Sequence, residues 1–212
     1  LIKGKETLES TVTLVADPKN PHSAEDRKLK QATDMRLYDD IERLGYVGDQ
    51  LVALRDGAKK AGEKAPAASK AKLEAFGKAA DKLRGSFVAS GDGYIGGDEK
   101  LREFLGTLYG NVISYEGRPS PAQIARRENL ESEIGDVEKK FADFVAKDVA
   151  AANALLAKAK LDPLEVASKE EWKNKDQTAG SAPVRLDEET VEQIAAQAPW
   201  IRSLIRSFRI EL

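Results

Sequence analysis

Residues 130 to 155 carry one seam at alternating steps of four and three: Leu130, Ile134, Val137, Phe141, Phe144, Asp148, Ala151 and Leu155. A helix brings positions so spaced onto one face, and a stripe that narrow belongs to a helix packed on other helices. The remaining chain has to supply those partners. Of its 212 residues, 41% are apolar and 33% charged, which suits helices that each bury one stripe and solvate the rest.

Further helices are expected on the same grounds. Ser23 with Asp26 three residues on reads as a capped start, and a stripe of Leu37, Ile41, Leu44, Gly48 and Leu51, filled out by Val47 and Leu54, carries that helix to about residue 60. Gly45 and Gly48 inside it each cost up to about 1 kcal/mol against alanine, so close approach of a neighbour is one rationale. After a loop at 61–69, a second helix is expected over about 69–89 on Leu73, Phe76, Ala80, Leu83 and Phe87. A third is expected over about 98–115, capped by Asp98, on Leu101, Leu105, Leu108 and Val112. Ser120 followed by Pro121 caps the fourth, because proline suits the first helical turn.

The ends read differently. Residues 8–16, Leu-Glu-Ser-Thr-Val-Thr-Leu-Val-Ala, are rich in β-branched residues and predict one strand, closed by Asp17-Pro18. A lone strand is unstable, so it should pair with something outside this chain. The start at Leu1 fits that reading: the chain is expected to be cut from a longer polypeptide. Past Leu161-Asp162-Pro163 the periodicity stops, and 161–185 read as a linker. A last amphipathic helix is expected over 186–212, with Ile201, Leu204, Ile205 and Phe208 on one face and Arg202, Arg206 and Arg209 on its flank. Docking onto the bundle, capture of a partner or of a second copy, and membrane-surface binding are all open to it.

The sequence thus predicts a mainly α, elongated antiparallel bundle of about four long helices, with one N-terminal strand and a peripheral C-terminal helix. Its divisions are 1–18 (the end of an upstream β-domain), 22–160 (the bundle), 161–185 (linker) and 186–212 (amphipathic helix).

Three stretches resemble a known arrangement: Val15-Ala16-Asp17-Pro18 with Ser23–Asp26 and Leu37-Tyr38; Leu105–Gly110 with Tyr115–Gln123; and Phe141–Asp148 with Asn153–Leu156. The pattern is similar to the C-terminal helical region of bacterial BNR-repeat glycosyl hydrolases and sortilin-like (VPS10-type) β-propeller proteins, and covers about residues 5–165. The resemblance implies upstream propeller and β-sandwich domains as partners in the same chain, and export. The hydrolase label belongs to the propeller, so no catalytic residue carries over.

Candidate chemistry is thin. Lys plus Arg is 34 against Asp plus Glu 36, a net charge of -2 that argues against a nucleic-acid surface. There is no cysteine, which excludes disulfides and thiolate metal sites. No run of about 18 apolar residues exists to span a membrane. Gly91-Asp92-Gly93-Tyr94-Ile95-Gly96 spells a dinucleotide fingerprint, but a helix precedes it where a strand is required. The nearby acids Asp92, Asp98 and Glu99 lack EF-hand spacing. His22 stands alone as the one histidine. The pairs Asp39/Asp40, Glu131/Glu133 and Glu188/Glu189 suit glycosidase chemistry by count, and a solvated helix face explains them equally well.

No catalytic, cofactor or metal residue is therefore assigned, and no cofactor is expected. The candidate interaction residues are Ile201, Leu204, Ile205, Phe208, Arg202 and Arg206. The candidate buried polar residues are Asp148, on the seam, with Asn153 and Arg118; Arg118 and Arg55 are its candidate partners. The functions open are a non-catalytic interaction or spacer module, a hydrolase fragment that lends carboxylates to a site, and an envelope adaptor acting through 187–212.

Overall fold

A computed structural model describes residues 2–3, 6–7, 9–13, 15, 17–89 and 99–180, without the side chains of 2–7 and 175–180. Six α-helices lie in that span: α1 (Ala24–Lys64), α2 (Ala67–Arg84), α3 (Leu101–Ile113), α4 (Pro121–Phe144), α5 (Ala150–Lys158) and α6 (Lys169–Gly180). The chain forms two compact units, Leu1–Val166 and Ala167–Leu212. The first is a helical bundle; of the second, α6 is described.

Local chemistry explains where the helices begin. Ser23 accepts the Asp26 N–H while the Asp26 carboxylate accepts the Ser23 N–H, so two otherwise orphaned donors are satisfied at the start of α1. Ser120 and Gln123 do the same for α4, with Pro121 at its first position. The α1 helix runs 41 residues, about 60 Å at 1.5 Å per residue. Pro66 ends the link to α2, so the loop expected at 61–69 shrinks to Ala65-Pro66.

The bundle has three rods rather than the four expected. The first is α1. The second is α2 followed by α3, and both pack along α1. The third is α4 continuing through a π turn into α5; α4 meets α1 and α3, and α5 meets α2. The directions follow from end contacts. Phe87, just after α2, sits where a Cβ on Gly48 would meet it at 3.9 Å, and its carbonyl accepts the Arg102 N–H at 3.0 Å. Tyr115, just past α3, meets His22 before α1 edge to face, at 5.7 Å between ring centres. Rod two therefore runs antiparallel to α1. At the same end Arg118 reaches Asp26, and farther along Tyr46 meets Phe141, so rod three runs parallel to α1.

The core is aliphatic and aromatic: Leu37, Leu44, Val47, Leu51 and Leu54 from α1, Leu73 and Phe76 from α2, Leu105 and Leu108 from α3, Leu130, Ile134, Phe141 and Phe144 from rod three. Phe76 and Phe144 stack at 5.2 Å.

Three expectations are corrected. The strand over 8–16 does not form: described residues 9–13 and 15 are irregular, with Val12 79% and Val15 83% exposed. The ladder among the described residues is one antiparallel pair of two-residue strands, β1 (Ile2–Lys3) and β2 (Glu6–Thr7), too short to hold itself. The linker over 161–185 is no plain linker. Leu164 is buried in the core, and 169–180 are helical behind a box formed by Ser168 and Glu171.

The seam of rod three is also not an unbroken heptad. A π turn at Val145–Val149 inserts one residue, and burial runs Phe144, Val149, Ala152, Leu156 in place of Phe144, Asp148, Ala151, Leu155. A regular helix drifts from a strict heptad by about 20° every seven residues. Held strictly, this one would put a carboxylate beside Phe76 and Phe144; the π turn turns Asp148 to solvent and brings Val149 inward. The shift has a measurable signature. Leu156→Ala is expected to destabilise the fold by about 2–5 kcal/mol, while Asp148→Ala changes stability by about 0.5 kcal/mol or less. Urea unfolding of both variants checks the pair, and the reverse ranking would restore the strict heptad.

Candidate functional site

Among the described residues, the most deeply buried charges lie between α1 and α4. Asp40 and Arg127 expose 3% and 6% of their side chains. The α1 stripe that buries Leu37, Leu44 and Val47 also buries Asp40, while the α4 seam extended one step back from Leu130 falls on Arg127. Arg127 donates to Asp40 Oδ2 at 3.4 Å and forms an ion pair with Glu131 Oε2 at 3.0 Å. Arg43 donates to Asp40 Oδ1 at 2.9 Å and grips Glu138 through Nε at 3.2 Å and Nη2 at 2.7 Å. Two acids of α4, one acid of α1 and two arginines thus close one network across the helix interface.

Burial pushes the Asp40 carboxyl above its usual range, partly offset by the positive charges of Arg43 and Arg127, and Glu131 adds to the rise. The hydrogen bonds from Arg43 to Glu138 hold that guanidinium above its ordinary value. The arrangement can fix the rotation and register of α4 on α1. It aims no acid–base pair at an open cavity.

Clefts flank α1 among the described residues. Between α1 and α2 lies a groove of about 610 Å³, floored by Ala58, Gly62, Leu73 and Gly77. Its rim charges are partly spent on each other: Arg55 holds Asp56 at 2.9 Å and Asp81 at 3.0 Å. Between α1 and α3 a smaller cleft, about 240 Å³, is floored by Ile41, Leu44, Val88 and Leu105, walled by Gly45, Gly48 and Gly106, and edged by Asp49, Arg84 and Arg102.

The residues singled out by sequence scatter over the bundle. Asp148 is exposed. Asn153, half-buried, donates through Nδ2 to the Leu164 carbonyl at 3.0 Å and accepts the Leu164 N–H at 2.7 Å, which pins 161–166 to α5. Arg118 is 62% exposed and pairs with Asp26, and Arg55 is engaged with Asp56 and Asp81 at the α1–α2 groove. Of the carboxylate pairs, Asp39 is exposed while Asp40 is buried, and Glu131 and Glu133 are exposed and lean toward Arg127 and Arg126. His22 packs on Tyr115. The Gly91–Gly96 fingerprint, Asp92, Asp98, Glu188, Glu189 and the candidate interaction face Ile201, Leu204, Ile205, Phe208, Arg202 and Arg206 lie outside the described residues.

Among the described residues no group of three or more His, Asp or Glu side chains is placed to hold a metal ion, and no helix is long and apolar enough to cross a membrane.

Sequence reasoning missed the Asp40–Arg127 pair. Its signal was present: each residue lies at a stripe position where an apolar side chain is the rule, and the two are opposite in charge.

Removing Arg127 should leave Asp40 buried and under-compensated, and Arg127→Met is expected to cost about 3–5 kcal/mol. A carboxyl whose folded pKa exceeds its unfolded value contributes stability that is fully present below the ordinary 3.8 and is lost as pH rises through the folded value. The variant pKa should climb further, so its deficit against the parent should be largest at neutral pH and shrink as pH falls toward 3.8. Chemical denaturation across that range measures it, and a deficit independent of pH would show that Asp40 does not feel Arg127.

No protein-family model, curated protein sequence or solved structure matches this chain.

Proposed function

We propose that the three-rod bundle is a non-catalytic helical interaction and spacer module within a larger exported protein, whose other parts are a β-propeller and a β-sandwich of glycosyl-hydrolase-like type. The observation that supports it best is the destination of the buried charge. Asp40, the buried acid of the described chain, is turned toward Arg43 and Arg127 on the helix interface, where it orders the packing of α1 and α4. A hydrolase site needs the opposite disposition, two carboxyls facing an open cleft with one held protonated.

A spacer also needs stiffness, and a 41-residue helix braced along its length by two further rods supplies it. The parent architecture rests on the resemblance of residues 5–165 alone.

On this reading the full chain turns over no aryl glycoside above the buffer rate. Turnover that falls in a Glu131→Gln, Glu133→Gln double variant would sink the reading in favour of a hydrolase. Light scattering on 1–212 and 1–180 then locates the contact. A dimer that becomes a monomer on truncation assigns self-association to the C-terminal segment; two monomers assign the docking role to other domains of the parent.

A further inference from the structure

The α1–α3 cleft carries a charge that the bundle does not explain. Arg84 is half-buried at its edge and has no ion pair among the described residues. Of the other buried or half-buried arginines, Arg43, Arg55 and Arg127 each hold carboxylates at 2.7–3.4 Å, and Arg27 donates to the His22 carbonyl at 2.6 Å. Arg84 closes α2, and a cation there offsets the negative end of the helix dipole. That accounts for a basic residue at the position. It does not account for a guanidinium lying against an apolar hollow.

The hollow itself is built by absence of side chains. Gly106 would meet no atom within 4 Å if it carried a Cβ, and a Cβ on Gly48 would touch only Phe87, at 3.9 Å. A Cβ fits at both places, so neither glycine is required by close helix packing, and each is a poorer helix former than alanine. Below them Ile41, Leu44, Val88 and Leu105 present aliphatic surface. The second arginine at the rim, Arg102, is already held by Glu103 at 2.7 Å. Arg84 and Asp49 are the other two edge charges, one of each sign.

We propose that this cleft binds a small apolar monocarboxylate, its hydrocarbon body on the aliphatic floor and its carboxylate on Arg84. An apolar pocket with one or two fixed polar groups is the usual form of a small-molecule site, and a guanidinium is the group that best matches a carboxylate. At about 240 Å³ the cleft lies below the usual range of drug-sized sites, which limits the body to a short chain such as that of octanoate.

Fluorescence of 8-anilinonaphthalene-1-sulfonate, an apolar anion, reports occupancy of the full chain, and octanoate and octanol compete for it. One saturable site is expected, with octanoate displacing the dye at least about tenfold better than octanol, the order set by one charge-assisted hydrogen bond. Arg84→Gln should erase that preference, Arg84→Lys should keep part of it, and Gly106→Leu should fill the cleft and abolish binding. Far-ultraviolet circular dichroism and melting of each variant should match the parent, which separates a lost ligand from a lost fold. Equal displacement by octanol, or undiminished binding in Gly106→Leu, overturns the proposal, as does the lack of a saturable site.

Discussion

A carboxylate held between two helices accepts few arrangements of its neighbours. Asp40 can remain there only while Arg127 and Arg43 reach its two oxygens, and those arginines are in turn held by Glu131 and Glu138 on α4. Aliphatic side chains would let α4 slide or rotate on α1 at little cost, because dispersion is not directional. The charged network sets one register among several that the apolar stripes alone would permit. The position of α3 follows, since it lies against both α1 and α4.

The second rod answers a different demand. One continuous helix could have lain along α1, yet rod two is broken between Arg84 and Leu101, and the chain resumes in the same direction. Among the described residues, the α1–α3 cleft beside this break has aliphatic surface of α1 on its floor, with glycine walls and an arginine edge. Asn153 does similar repair elsewhere. By bonding both backbone groups of Leu164 it seats that side chain beside Gly57, where a Cβ would approach Leu164 Cδ2 to 2.9 Å. Here glycine is needed for close approach, whereas at Gly106 it leaves room.

Much of the secondary structure was legible in advance, for local reasons. Ser23 with Asp26, and Ser120 with Pro121 and Gln123, satisfy helix-end donors with groups three residues away, so the starts of α1 and α4 are written in a few adjacent letters. The Ser168–Glu171 box is just as local, but it lies past Leu161-Asp162-Pro163, where the apolar periodicity that marks the other helices stops. The strand over 8–16 failed because β-branched alternation states a readiness to pair, and no partner lies beside those residues among the described ones.

The number, span and apolar stripes of the helices in the bundle are thus properties of the sequence itself, because capping and 3.6-residue periodicity act within a few turns. Three things were decided only by tertiary structure. Two predicted helices share one rod; a π turn exchanges Asp148 for Val149; and Asp40 finds Arg127 across 87 residues. Each depends on which surface arrives opposite a given face. A single strand of letters carries the readiness of a side chain to be buried or paired, and only the assembled bundle supplies the neighbour that buries or pairs it.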